Sequence, residues 1–256
     1  DLGEGKKDWI NPADVTLIAQ HDRLAYSHAA KQIEESGAQA IWLQHEFGIF
    51  GGAGGDYILH LLARTRVPVI TTLHTILARP GEDERRVMDA ILARSTELIV
   101  MAERGREILR STYGVDDARI HVIEHGVPDR PYVDPDTLKP RFGWQGRKVV
   151  LTFGLLAPDK GIESMIRAMP AIIAAEPETL YVVLGATHPN IVREQGEALR
   201  NRLMALSQEL HVADHVRFIG SYIEQEELLD YLQAADIYVT PYVNPAQITS
   251  GTPSYA

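Results

Sequence analysis

The sequence predicts an α/β fold of two doubly wound parallel-sheet domains that face each other across a cleft. Short runs of β-branched and aliphatic residues alternate with helix-length amphipathic segments along most of the 256 residues. Such alternation is typical of parallel strands joined by crossover helices that cover both faces of a sheet. A segment with four prolines, at residues 126–147, interrupts the pattern. We therefore predict domains at residues 1–125 and 148–256, with residues 126–147 as the linker.

The individual elements follow from apolar periodicity and from residues that end helices. Strands are predicted in the first domain at residues 15–19, 40–43, 68–72, 98–101 and 120–123, and in the second at 149–152, 180–184, 216–219 and 237–240. Helices are predicted at 23–36, 56–64 and 82–95, and another one after the strand at 98–101 ends at Tyr113. Three more are predicted at 161–175, 191–210 and 224–234. Gly37 and Gly114 each follow a predicted helix, where glycine commonly adopts the left-handed conformation.

The composition limits the classes of function. With 45% apolar residues the chain can bury a substantial core, and its net charge of −10 argues against a broad nucleic-acid-binding face. No apolar run is long enough to span a bilayer, the first residues show no signal-peptide pattern, and there is no cysteine. We therefore expect a cytoplasmic protein with no membrane span, no disulfide and no nucleic-acid partner.

The segment after the strand at 149–152 is the most informative about chemistry. A turn at Gly154 is followed by Lys160 and by a helix that begins near Gly161. Backbone N–H groups, a helix N-terminus and a mobile cation would then meet at the carboxyl end of a strand, where open α/β sheets bind phosphate esters. The segment is not a P-loop, because the G-x-x-x-x-G-K-[ST] spacing is absent. The plainer alternative is a solvated lysine at a helix start.

Four further motifs lie at or near predicted strand ends. They are His74 in T-T-L-H-T, His125 in V-I-E-H-G-V-P-D, the turn F-I-G-S-Y at 218–222, and A-A-D-I-Y-V-T-P at 234–241. Together with the Lys160 segment, their order and spacing resemble the family-4 retaining glycosyltransferases. That resemblance implies the GT-B fold, in which two Rossmann-like domains face a cleft.

The resemblance also implies roles for individual residues. Lys160 would meet the diphosphate of a nucleotide-sugar, and His74 would face the transferred sugar. Gln247 and Tyr255 stand where the family usually has two glutamates, and Leu155 where it commonly has an arginine. We expect the catalytic set to be His74, Lys160 and Gln247. The expected donor-binding residues are Gly154, Leu155, Gly161, Ser221, Tyr222, Ser250, Gly251, Thr252 and Tyr255.

Several histidines and glycines at strand ends are candidates for lining the cleft. They are His45, Glu46, Gly51, Gly52, His125 and His188. A zinc site is not expected, because H-E-x-x-H is absent. The spacing of residues 51–55 also differs from G-x-G-x-x-G, which disfavours dinucleotide binding.

The predicted function is therefore transfer of a hexose from a UDP- or GDP-linked sugar to a sugar or other hydroxyl acceptor. The resemblance implies retention of configuration, with no metal and no cofactor besides the nucleotide-sugar. Two alternatives remain open: a non-transferring GT-B enzyme such as a nucleotide-sugar epimerase, and a degenerate nucleotide-sugar-binding protein. A nicotinamide-dependent oxidoreductase is disfavoured, because its fingerprint is absent.

The first predicted strand, at 15–19, resembles the second or third strand of the family's first domain, and the sequence ends where a helix is expected to start. We therefore expect a partial chain in which both domains are cut short and apolar sheet edges are exposed.

Overall fold

The computed structural model describes residues 15–220, 223–243 and 251–255, and the chain divides into two compact units after His125. Each unit contains a four-stranded parallel sheet with helices packed against it. The predicted α/β class is confirmed in both units. Within the described ranges, no helix has the length and apolar character needed to cross a membrane.

The first unit is a sheet with strands in sequential order. Its strands are β1 (Ile41–His45), β2 (Val69–Leu73), β3 (Glu97–Val100) and β4 (Ile120–Val122), in the order β1-β2-β3-β4. Its helices are α1 (Arg23–Ser36), α2 (Ile58–Leu62), α3 (Glu82–Arg94) and α4 (Glu103–Tyr113). Three acidic residues begin α3, where they favour the helix dipole, and left-handed glycines end α1 and α4.

The second unit has a sheet in the order β7-β6-β5-β8. Its strands are β5 (Lys148–Phe153), β6 (Thr179–Leu184), β7 (Val216–Ile219) and β8 (Ile237–Tyr238). Its helices are α5 (Pro135–Leu138), α6 (Ile162–Ala175), α7 (Pro189–Gln195), α8 (Ala198–Glu209) and α9 (Gln225–Ala234). Every residue of β6 is buried, as expected of a central parallel strand covered on both faces.

The strand predicted at residues 15–19 does not form. Its apolar side chains are exposed: Val15 at 46%, Leu17 at 58% and Ile18 at 37%. A strand requires hydrogen bonds to a neighbouring strand. Among the described residues, β1 has β2 as its partner and no strand on its other side. The β-branched composition of 15–19 was therefore a misleading signal.

The single helix predicted at 191–210 is two helices, α7 and α8. They separate at Gly196, whose φ of 60° and ψ of −141° lie outside the helical region. The glycine is compatible with that backbone because it has no Cβ.

Much of the segment assigned to a linker packs into the second unit. It contributes α5 and the 3-10 turn Lys139–Phe142, and Trp144 is only 3% exposed in the core against Tyr231. The Lys139 ammonium lies 2.9 Å from the Asp236 carboxylate, and Asp230 pairs with Arg130 and Arg141. The segment with the four prolines therefore has an irregular backbone but is held to the second unit by packing and ion pairs.

Candidate functional site

The turn after β5 is built by backbone packing. Gly154 adopts a φ of 132°, and its N–H donates to the Leu184 carbonyl at the end of β6. A Cβ on Gly185, which has a φ of 141°, would lie 2.1 Å from the Gly154 oxygen. The loops after β5 and β6 therefore approach each other more closely than side chains would allow. Leu155 is 44% exposed in this turn, whereas the next residue, Leu156, is buried.

Lys160 lies at the end of the 3-10 turn Pro158–Lys160, directly before α6. Gly161 has a φ of 65°, and a Cβ there would lie 1.8 Å from the Pro241 carbonyl oxygen. The Val243 N–H also donates to the Asp159 carbonyl at 3.0 Å. These contacts hold the segment after β8 against the start of α6. No side chain among the described residues caps α6, so its first N–H groups remain available for an anion.

The Lys160 side chain is held over an aromatic ring that the sequence analysis missed. Its Nζ lies 4.3 Å from the centre of the Tyr242 ring and 3.8 Å from an Asp159 carboxylate oxygen, and its side chain is 21% exposed. The Tyr242 hydroxyl is 2.7 Å from the Thr252 hydroxyl. An aromatic residue directly after Pro241 at a strand end was the available sequence signal.

Four predicted site residues, Gly154, Lys160, Gly161 and Thr252, therefore gather near the carboxyl end of β5. Together with Tyr242 they form what we call the Lys160 cluster. A Cβ on Gly154 would lie 3.3 Å from the Thr252 methyl group. Lys160 is joined to Thr252 through Tyr242, and Gly161 approaches Pro241, the residue before Tyr242. The Tyr255 ring contacts Phe153 edge-on at 6.0 Å. Gly251 accepts a hydrogen bond from Ser254 through its carbonyl.

Four of the predicted site residues lie outside the described residues. They are Ser221, Tyr222, Gln247 and Ser250.

His188 has a local structural contact in the second unit. Its Nδ1 accepts a hydrogen bond from the Asn190 N–H at 3.2 Å, which caps the short helix α7. This interaction gives one backbone N–H at the start of α7 a hydrogen-bond acceptor, but it does not join His188 to the Lys160 cluster.

In the first unit, His74 follows β2 directly and takes part in a side-chain network. The His74 N–H donates to the His45 carbonyl at 3.0 Å, and its Nε2 lies 2.8 Å from Gln44 Oε1. Gln44 Nε2 in turn lies 3.4 Å from Thr72 Oγ1, which accepts a hydrogen bond of 2.8 Å from Trp42 Nε1. Gln44 was not predicted as a site residue, since its position opposite Thr72 follows from strand register.

His45 is fully buried beneath the loop that follows β1. Its ring packs against Phe47 and Phe50, with centroid distances of 4.9 and 5.8 Å. Among the described residues, neither ring nitrogen has a hydrogen-bond partner. Burial, with a smaller contribution from His74, lowers the pKa of His45 to about 4. The side chain is therefore neutral near pH 7 and belongs to the packed support of the loop.

The other first-unit candidates also stabilise this loop. Glu46 accepts hydrogen bonds from the Phe47 N–H at 3.0 Å and from the Thr75 hydroxyl at 2.6 Å. The Gly51 N–H donates to the Tyr26 hydroxyl at 3.2 Å. The remaining two candidates are Gly52, which lies against Tyr57, and His125, which is half-buried at the end of the unit. Glu46 thus joins the loop to the residue that follows His74.

The two units define a class of protein by their fold. Anabaena HepE in complex with UDP and glucose is similar in structure, with a TM-score of 0.63 and 15% identity over 88% of this chain and 57% of that one. The fold is accordingly GT-B, as predicted, with a Rossmann-like parallel sheet in each unit.

The family follows from comparisons of sequence. Glycosyltransferase Family 4 matches residues 15–130, and Glycosyl transferases group 1 matches residues 135–245. The chain belongs to the family-4, group 1 glycosyltransferases.

Two curated relatives are similar to this chain. Mannosylfructose-phosphate synthase of Agrobacterium fabrum is 31% identical over 163 residues, which are 61% of this chain and 35% of the relative. D-inositol 3-phosphate glycosyltransferase of Rhodococcus jostii is 28% identical over 218 residues, 77% of this chain and 47% of the relative. The chain thus spans between about a third and a half of the length of these proteins.

Proposed function

We propose that this protein is a retaining hexosyltransferase that uses a UDP- or GDP-linked sugar as donor and a sugar or other hydroxyl group as acceptor. Membership of the family supports transferase activity. The observation that carries the donor assignment is the Lys160 cluster near the end of β5, where a cation lies beside the N-terminus of α6, which no described side chain caps. We also propose a cytoplasmic location.

Transfer of a sugar from a nucleoside diphosphate requires stabilisation of the leaving group. The bond between the sugar C1 and the phosphate oxygen breaks while a bond from C1 to the acceptor oxygen forms, and the acceptor proton passes to the departing phosphate. Negative charge therefore grows on the nucleoside diphosphate. Lys160 and the first N–H groups of α6 would stabilise that charge, and we propose that no metal ion is needed for it.

We assign His74 to orientation of the transferred sugar rather than to covalent chemistry. The anchored backbone and the hydrogen bond to Gln44 limit the positions that its ring can take. An oriented hydrogen-bonding group contributes mainly when it is well aligned in the transition state. Gln247, at the position of the family's usual glutamate, would serve the same sugar.

The test is a panel of UDP- and GDP-sugars assayed with and without hydroxyl acceptors, with NMR of the product's anomeric centre. We expect acceptor-dependent release of nucleoside diphosphate and retained configuration. His74→Ala and Gln247→Ala should keep nucleotide affinity but lose most transfer, because both act chiefly on the transition state. The exposed His28→Ala on α1 is a matched control.

A second candidate is a nucleotide-sugar-binding protein without turnover. It is favoured by Gln247 and Tyr255, which replace the family's usual glutamates. Binding of a nucleotide-sugar with neither transfer nor hydrolysis would support it and would contradict the transferase assignment. Conversion of the donor without any acceptor would instead indicate an epimerase.

A further inference from the structure

The side-chain network that reaches His74 begins on one face of the first unit's sheet. Gln44 and Trp42 are two residues apart on β1 and therefore point to the same face of the sheet. Thr72 is the register partner of Gln44 on β2, which brings its hydroxyl to the same face. An indole N–H can only donate, so the Thr72 oxygen accepts from Trp42 at 2.8 Å.

Gln44 connects Thr72 to His74. Its amide nitrogen is turned toward Thr72 Oγ1 at 3.4 Å, which leaves its carbonyl oxygen 2.8 Å from His74 Nε2. A carbonyl oxygen has no proton to donate. With the amide in this orientation, the short contact requires that His74 Nε2 carries the proton.

We infer that Gln44 is a positioning residue that keeps the neutral His74 ring in its Nε2–H form. The Nδ1 atom then keeps its lone pair and is a hydrogen-bond acceptor. A hydroxyl group of the transferred sugar would donate to that lone pair. This last step rests on the proposed function of His74, whereas the position of the proton does not.

The proton position can be measured on the protein itself. Long-range proton–nitrogen correlation NMR of nitrogen-15-labelled protein, at about pH 8.5 where a free imidazole is neutral, distinguishes Nε2–H from Nδ1–H rings. The His74 signals are assigned by their loss in His74→Gln. We expect wild type to show the Nε2–H pattern.

Variants of Gln44 separate a positioning role from a purely structural one. Gln44→Leu removes the acceptor and should give a mixture of the two tautomers, whereas Gln44→Glu keeps an acceptor and should retain Nε2–H. Gln32→Leu, at an exposed position on α1, is the control and should leave the pattern unchanged. Circular dichroism checks that each variant is folded. If Gln44→Leu does not fold, Gln44→Ala is used in its place.

Two results would overturn the inference: an Nδ1–H pattern in wild type, or an unchanged Nε2–H pattern in the variants that lack the acceptor. A separate kinetic measurement tests the proposed function. In Gln44→Leu, kcat should fall roughly tenfold to a hundredfold with little change in KM for the donor. If the tautomer changes and kcat does not, the positioning of the proton stands and the sugar-orienting role of His74 fails.

Discussion

The Lys160 cluster and the His74 network are built in different ways. Around Lys160, glycines let backbone segments touch, and Gly161 against the Pro241 carbonyl is the closest such approach. Around His74, polar side chains on neighbouring strands are joined by hydrogen bonds, while the buried His45 ring has no hydrogen-bond partner within the described part of the chain. The first construction depends on residues that lack a side chain, and the second on the register of two strands. The two regions should therefore fail differently when altered.

The largest effect is expected at Gly161. Gly161→Ala places a methyl group 1.8 Å from the Pro241 oxygen at a φ of 65°, so the backbone must shift. We expect a loss of about 3 kcal/mol in the free energy of unfolding, measured in urea. Gly143→Ala is the matched control, with a φ of 71° but nothing within 4 Å of the new Cβ. It should lose only about 1 kcal/mol, and equal losses would show that close packing is not the cause.

His45 should make the stability of the first unit depend on pH. Its pKa is about 4 when folded, against 6.5 for the ordinary group, so the unfolded chain binds more protons between these values. The contribution is fully present above about pH 6.5 and is lost as pH falls toward 4, by about 3 kcal/mol in total. His45→Phe should flatten this part of the curve, measured by urea unfolding across pH.

The exposed His28→Gln serves as the control for that measurement, since it changes a histidine without changing a buried ring. If His45→Phe and His28→Gln give the same pH profile as wild type, burial of the His45 ring does not govern the acid sensitivity.

Removal of the Lys160 charge tests the donor assignment. Lys160→Ala should weaken binding of UDP or GDP, measured by calorimetry, by about 1.5–3 kcal/mol, because a charge-assisted contact to phosphate is lost. Lys148→Ala removes a lysine from the opposite end of β5, where it pairs with Glu176, and should leave affinity unchanged. Equal affinity of wild type and Lys160→Ala would remove Lys160 from the site.

A smaller effect is expected at Tyr242. Tyr242→Leu removes the ring beneath Lys160 and should weaken nucleotide binding by about 0.5–1 kcal/mol. Tyr242→Phe keeps the ring and loses the hydroxyl that meets Thr252, so it should bind nearly as wild type. If the Phe variant is the weaker of the two, the hydrogen bond to Thr252 matters more than the ring.

Sequence periodicity was sufficient for most elements of the fold and insufficient where an element needs a partner. The buried strands β5 and β6 are continuous apolar runs, and α1 and α4 end at glycines, so each signal is local. Residues 15–19 have the composition of a strand, but no strand in the described ranges pairs with them. The break at Gly196 was missed because the apolar pattern continues on both sides of it.

The sequence by itself determined the α/β class, the family resemblance, and the Gly154, Lys160 and Gly161 positions, since turn glycines and strand ends are encoded in consecutive residues. Tertiary structure decided what those residues touch. It placed Tyr242 beneath Lys160, Gln44 beside His74, and Trp144 in the core of the second unit. These contacts join residues that are 30 or more positions apart in the first two cases. They depend on strand register and packing, which no local pattern specifies.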